Sequence, residues 1–194
     1  MHAGNSTELG YTPVFRIGLS KREMMRRRYG FLLAMILLFV PRLVSCLWAQ
    51  ELEVVPSDQL PQVVPTGFYY EGQVAPTQMR NATAVRIGAK KHVIVALVDN
   101  SGYAAETRSK IEGFWATDLN VRVGGKDLPS GVYPFGVTRD GILNIYNLSG
   151  ILQISVKTTR DASLSHPRPL VMVKGSDGIR LYRGRDYVLV RIKR

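Results

Sequence analysis

The sequence predicts an all-β fold, either a small sandwich or a partly open barrel with one short helix, and three observations lead to this prediction. Short apolar or alternating runs recur from residue 67 onward, and turn dipeptides separate them. The chain has 18 glycines and 10 prolines, which favour tight turns. A hydrophobic fraction of 45% over 194 residues is typical of one globular domain.

Ten strands are predicted from the apolar runs, in chain order. They are Phe68 to Gln73, Ala84 to Ile87, His92 to Asp99, Leu119 to Val123, Val132 to Thr138, Ile142 to Tyr146, Ile151 to Val156, Leu170 to Lys174, Ile179 to Tyr182 and Tyr187 to Lys193. Dipeptides such as Gly124-Gly125 and Asp140-Gly141 lie between them, and glycine accepts the positive φ that tight turns need.

One segment departs from this pattern. Residues 103 to 112 contain helix formers and no glycine until Gly113, and Ser101 is placed to cap the start of a helix. Tyr103, Thr107 and Ile111 recur at helical spacing on one face. We expect this short helix to cover an open end of the sheets.

The N-terminal region has the pattern of an export signal. Arg26, Arg27 and Arg28 precede the apolar run from Phe31 to Val40. This run is about half the length that a membrane-spanning helix needs. Residues 24–49 are therefore predicted to be a signal segment, residues 1–23 an upstream extension before a start at Met24 or Met25, and the product a periplasmic or secreted protein.

The single cysteine, Cys46, lies at the end of this segment, so no disulfide can form within the chain. Leu43-Val44-Ser45-Cys46 resembles the lipobox of bacterial lipoproteins, although Arg42 departs from that pattern. The resemblance makes Cys46 a candidate lipidation site and an outer-leaflet lipoprotein the alternative localisation. Cleavage after Ala49 is the favoured prediction.

The segment 50–66 carries Pro56, Pro61 and Pro65 among polar and β-branched residues, without a usable period. It is predicted to be an extended linker. The β domain is accordingly predicted at residues 67–194.

No catalytic residue, cofactor or metal site is predicted. His92 and His166, the two histidines beyond the N-terminal extension, have no second ligand at a metal-type spacing. No nucleophile or phosphate-binding motif occurs. An exported hydrolase remains an alternative, which a clustering of His92, Asp99 and Asp118 in one cleft would favour.

The most distinctive stretch runs from Val121 to Tyr133 and has the form V-x-x-G-G-K-x-L-P-x-G-x-Y. It resembles a hairpin found in small exported bacterial β domains of unassigned function. The likeness extends to Phe135-Gly136 and to the Arg183-Gly184 turn. It implies a compact β fold outside the cytoplasm and transfers no catalytic residue.

Beyond residue 49 the chain has 19 basic and 13 acidic residues, and the basic ones concentrate near the C-terminus. Such a group is a candidate anion-binding surface for an envelope polymer or for lipid headgroups, whereas cytoplasmic nucleic acid is not an expected partner of an exported domain. An edge hairpin that uses charge to block aggregation is the favoured interpretation. The residues are Arg180, Arg183, Arg185, Arg191, Lys193 and Arg194.

These features together predict a non-enzymatic, exported binding or structural module. Any contact with a membrane is expected through the signal segment or a lipidated Cys46. The alternatives are anionic-polymer binding through the basic hairpin and, less favoured, an exported hydrolase.

Removing residues 1–49 is expected to leave a soluble, folded protein, because no comparable apolar run remains. Far-ultraviolet circular dichroism of the truncated chain should show a β spectrum with a cooperative thermal transition. An insoluble product without that spectrum would contradict the assigned boundary.

Overall fold

The computed structural model describes residues 52–193, which form two antiparallel sheets packed as a sandwich. This confirms the predicted all-β class. The helices are α1 Leu60–Val63 and α2 Ala105–Lys110. The strands are β1 Leu52–Val54, β2 Gly67–Tyr70, β3 Gln73–Ile87, β4 Lys91–Val98, β5 Gly113–Thr117, β6 Val121–Val123, β7 Lys126–Leu128, β8 Gly131–Val137, β9 Ile142–Tyr146, β10 Leu152–Lys157, β11 Thr159–Arg160, β12 Arg168–Lys174, β13 Ile179–Gly184 and β14 Asp186–Ile192.

Sheet I has eight strands in the order β1-β3-β4-β5-β8-β9-β10, with β2 paired to the first part of the long strand β3. Sheet II has six strands in the order β12-β13-β14-β6-β7, with the short strand β11 paired to β14. Most neighbours in each sheet are also neighbours in sequence, because tight turns join antiparallel strands.

Sheet I is buried on both faces, and neighbouring residues of β5 show this most clearly. Trp115 is fully buried in the core between the two sheets, where Phe135 and Met172 also lie. Phe114 is 1% exposed and belongs to a second core on the opposite face of sheet I, with Phe68 and Tyr103. The fold therefore has three layers: sheet II, the main part of sheet I, and a cover made of α1, α2 and the hairpin that β2 forms with the first part of β3.

The prediction that residues 50–66 form an extended linker is wrong from Leu52 onward. β1 pairs with β3 at Leu52↔Ile87, and Leu60 and Val64 are buried in the second core. Pro61, which suggested an extended linker, lies in the first turn of α1, where its missing N–H costs nothing. Residues 52–193 consequently contain two helices rather than the one that was predicted for the β domain.

Helix α2 is shorter than the predicted helix of residues 103–112, and of its predicted face only Thr107 lies within it, because Tyr103 precedes the helix and Ile111 follows it. Tyr103, Thr107 and Ile111 are buried, as their spacing indicated. They pack on the outer face of sheet I rather than across an open end of the sandwich. Ala104 precedes the helix without a side-chain cap, so Ser101 does not take the capping role.

The C-terminal strand confirms its predicted inner face and contradicts its predicted edge position. Val188 and Val190 are buried and Ile192 packs against the same core. However, β14 pairs with β13 on one side and with β6 on the other. Because β14 is an interior strand, the favoured edge-protection interpretation of its basic residues is wrong.

The distinctive stretch from Val121 to Tyr133 forms the β6–β7 hairpin and the start of β8. Gly124 and Gly125 occupy its two-residue turn at φ 54° and 88°, a conformation that favours glycine at both positions. The Tyr133 hydroxyl donates a hydrogen bond to the Pro129 carbonyl at 3.2 Å. The motif thus has a complete structural explanation.

The predicted extension 1–23, the signal segment 24–49 with Cys46, residues 50 and 51, and Arg194 all lie outside the described residues. Between residues 52 and 193, no helix combines the length and the apolarity needed to cross a bilayer.

Gly136 in β8 lies against the carbonyl of Lys110 at the end of α2, so closely that an added Cβ would overlap that backbone oxygen. We expect Gly136→Ala to destabilise the protein by about 1–3 kcal/mol or more, because the helix must shift away from sheet I. Gly102→Ala is the matched control, since its Cβ would meet only a Gln73 side chain at 3.5 Å. Urea unfolding of both variants tests this, and equal losses would contradict the proposed close approach.

Candidate functional site

The predicted anion-binding group does not assemble on one face. Arg180 and Arg191 lie on the outer face of sheet II. Arg183 is two residues after the buried Leu181 and four after the buried Ile179, so it lies on the same, inner face as they do. Arg185 lies in the β13–β14 turn, Lys193 follows β14, and Arg194 is outside the described residues. The five described residues of this group therefore do not form one continuous anion-binding surface.

These side chains are also engaged with neighbouring groups. The ion pairs are Arg180 with Asp177 at 3.4 Å, Arg183 with Glu112 at 2.7 Å and Lys193 with Asp127 at 2.6 Å. Arg185 and Arg191 donate to the carbonyls of Ser165 and Asp177. Hydrogen bonds from Arg122 and Lys193 lower the pKa of Asp127 to about 2.

The residues of the hydrolase alternative do not meet in one cleft. The Asp118 carboxylate accepts the backbone N–H of His92 at 2.8 Å, so these two residues are adjacent. Asp99 follows the other end of β4 and accepts the Ser101 N–H at 3.1 Å. Within residues 52–193, no group of three or more potential metal-binding side chains is present.

A cleft between the two sheets is the strongest candidate site. It has a volume of about 260 Å³ and opens where β8 ends and β13 turns into β14. Sheet I contributes Phe135 and Leu143 to its floor, and sheet II contributes Leu170, Leu181 and Val188. All five side chains are buried, so the floor of the cleft is apolar.

The rim of the cleft is charged. Glu112 and Arg183 form an ion pair that joins the two sheets, because Glu112 precedes β5 and Arg183 lies in β13. Arg139 and Asp186 also line the rim, and neither has an ion-pair partner among the described residues. The opening thus offers charges of both signs above an apolar floor.

The backbone holds Glu112 firmly. Its N–H donates to the Phe135 carbonyl at 2.8 Å, and its carbonyl accepts the Val98 N–H at 3.0 Å. Strands β4 and β8 therefore hold this residue from both sides. A group fixed by the sheet backbone has the positional precision that a binding site needs.

The Glu112 carboxylate is only partly satisfied. Oε1 accepts the Arg183 hydrogen bond, whereas the buried Oε2 accepts no hydrogen bond from a well-aligned donor among the described residues. Burial raises the pKa of Glu112, and the charge of Arg183 and the nearby backbone N–H of Val137 partly offset that rise. A buried acceptor without a donor carries a desolvation cost, which a ligand with a suitable donor would recover.

Sequence reasoning found only part of this site. Arg183 was among the predicted basic residues, although for a different surface. Glu112 was assigned to the end of the helix, which in fact ends at Lys110. The useful signal was the run Gly113-Phe114-Trp115 directly after it, since an acidic residue beside such a buried strand must lie at the margin of the core.

No protein-family model, curated protein or solved structure matches the chain. The resemblance of the stretch from Val121 to Tyr133 to exported β domains stays a prediction.

The raised pKa of Glu112 predicts a pH dependence of stability. The folded state favours the protonated carboxyl, so this contribution is complete below the unfolded-state pKa and is lost as the pH rises through the folded-state pKa. The unfolding free energy of the native protein should therefore fall relative to that of Glu112→Gln as the pH rises from about 4 to about 7.

Urea melts of both proteins across this pH series measure the difference. Glu106→Gln is the control with the opposite sign, because its hydrogen bond with Lys110 lowers the pKa of Glu106. A native-minus-Glu112→Gln difference that is flat or rises with pH would contradict the assigned shift.

Proposed function

We propose that this protein is an exported, non-enzymatic binding module whose inter-sheet cleft takes a small ligand with an apolar body and a hydrogen-bond donor. The unpartnered, buried Oε2 of Glu112 above the apolar floor is the observation that supports this proposal most directly. Export itself rests on the predicted signal segment.

The size of the cleft limits the ligand. Its volume of about 260 Å³ is at the lower end of the range for small-molecule sites, roughly 300–1,000 Å³. One ring or short chain fits this space, whereas a drug-sized molecule or an oligosaccharide would not. The ligand is therefore a small molecule or a single side chain presented by a larger partner.

The charges of the rim favour a neutral or cationic donor. Arg183 is already committed to Glu112 at 2.7 Å, so it is less available to an incoming anion. The open acceptor Oε2 and the unpaired carboxylate of Asp186 both suit a hydroxyl or an ammonium group. An anionic ligand would have to depend on the exposed Arg139 alone.

A hydrolase is the second candidate function, and one observation favours it. Glu112 has a raised pKa in a cleft that also holds the carboxylate of Asp186, which is the type of pairing that acid–base chemistry uses. The ion pair with Arg183 counts against this role, because it stabilises the charged form of Glu112.

Three probes with the same ring test the binding proposal: benzyl alcohol, benzylammonium and benzoate. Each is titrated into the folded protein and followed by the amide chemical shifts of cleft residues. We expect the two donor-bearing probes to shift Leu181 and Val188, and benzoate to bind more weakly. Glu112→Gln should weaken benzylammonium binding by about tenfold, the loss expected for a hydrogen bond to a charged group.

Glu106→Gln is the matched control, because it removes a carboxylate on α2 outside the cleft. The amide chemical shifts of Glu106→Gln should respond to each probe as those of the native protein do. Stronger binding of benzoate would refute the donor-bearing ligand, and no shift with any probe would refute the cleft as a binding site. Loss of ester or glycoside hydrolysis in Glu112→Gln would favour the hydrolase instead.

A further inference from the structure

The sandwich has two chemically different ends. The cleft lies where β13 ends at Gly184 and β14 begins at Asp186. β1 begins at Leu52 beside Ile179 and Ile192, at the other end of the same two strands. This second end, where the described chain starts, is called the Leu52 end below.

Four exposed cations surround the Leu52 end. The Nζ of Lys174 lies 3.4 Å from the Leu52 carbonyl, and Arg191 lines the same depression as Leu52. Lys91 faces Ile87 across β3 and β4, and Ile87 in turn faces Leu52, so Lys91 is two strands from the start of β1. Lys90 precedes it in the exposed turn.

The described residues provide these cations with no ion-pair partner. Among residues 52–193, no carboxylate lies within 4.0 Å of the charged nitrogens of Lys90, Lys91, Lys174 or Arg191. The acidic residues nearby are engaged elsewhere. Glu53 pairs with Arg86, Asp177 pairs with Arg180, and Asp118 accepts the His92 N–H.

The cations border an apolar depression of about 300 Å³ between the two sheets. Its lining includes Leu52, Ile87, Ile179 and Ile192. Ile87 and Ile179 are buried, whereas Leu52 and Ile192 are half-buried, so the cations of the rim are the groups that can reach the phosphates of a bilayer.

We propose that the Leu52 end is a docking surface for an anionic lipid bilayer. Leu52 follows Cys46 by six residues, and this stretch spans at most about 20 Å when fully extended. A chain that keeps its apolar segment uncleaved, or that carries a lipid on Cys46, therefore presents this end first. The proposal rests on these alternatives to cleavage after Ala49 and is independent of what the cleft binds.

Docking in this way would orient the cleft. The seven residues of β14 separate the two ends by about 20 Å. The cleft would open away from the membrane, beyond the roughly 8 Å over which surface charge acts at physiological salt. A ligand could then reach Glu112 while the domain remains on the bilayer.

Lysine labelling on vesicles tests the orientation with the full chain. The protein is incorporated by its apolar segment into vesicles of pure phosphatidylcholine, or into vesicles with about 30% phosphatidylglycerol. A water-soluble acylating reagent is added, and modification of each lysine is measured by mass spectrometry. For each lysine, the modification rate on the anionic vesicles is divided by the rate on the phosphatidylcholine vesicles. This ratio does not depend on the intrinsic reactivity of that lysine.

We expect Lys90, Lys91 and Lys174 to be modified several-fold more slowly on the anionic vesicles. Lys157 at the cleft end should be modified equally on both, because it lies beyond the other end of the sandwich. About 0.5 M salt should abolish the protection, since it shortens the screening length to a few ångströms.

A pair of variants separates local docking from general attraction. Lys90→Gln with Lys91→Gln should remove most of the protection of Lys174, whereas Lys157→Gln with Arg160→Gln, which removes the same charge at the cleft end, should leave it intact. Equal labelling on both vesicle types, or protection of Lys157 instead of Lys174, would overturn the proposal. Protection that persists at high salt would refute its electrostatic basis.

Discussion

The fold depends on the burial of sheet I on both faces. Phe114 and Trp115 are consecutive in β5 and point to opposite cores, and both are almost completely buried. Each contributes roughly 2–3 kcal/mol of hydrophobic stabilisation only if its own face is covered. Sheet II covers one face. The other face must be covered by other parts of the chain, which is why residues 55–70 and α2 are part of the domain.

This double burial explains the close contacts around β5. Gly113 lies against the Ala96 backbone of the neighbouring strand β4, and Gly136 lies against the end of α2. Neither position has room for a side chain, and at Gly136 this lets the cover approach sheet I directly. Glu112, between α2 and β5, is where the chain passes from the cover into the sheet, and its carboxylate is therefore held at the margin of the inter-sheet core.

The two proposed binding surfaces lie at opposite ends of the sandwich. At the cleft end, an ion pair bridges the sheets above an apolar floor and leaves one carboxylate oxygen without a donor. At the Leu52 end, unpaired cations surround a second apolar depression. Binding in the cleft and docking at the Leu52 end would use different groups, so both could operate in one small domain.

Local pattern determined the fold class, most strands and the faces of the last one, because β alternation and glycine turns depend on neighbouring residues. Val188 and Val190 were placed correctly for this reason. Local pattern failed at residues 52–66, where three prolines suggested a linker. It also failed at β5, because the short apolar run after the helix shows no alternation that would predict a strand. Strand order is not a local property, so the interior position of β14 could not be predicted.

The candidate site shows the same difference between what local sequence predicts and what depends on tertiary structure. Arg183 was noticed because basic residues cluster in sequence, but its partner Glu112 is 71 residues away and belongs to the other sheet. The sequence by itself determined the all-β class and carries the pattern of an export signal, since both rest on short-range composition and spacing; a sandwich rather than a partly open barrel became clear only from the two sheets. Only tertiary structure decided which charges meet, because ion pairs and clefts form between elements that are distant in the chain.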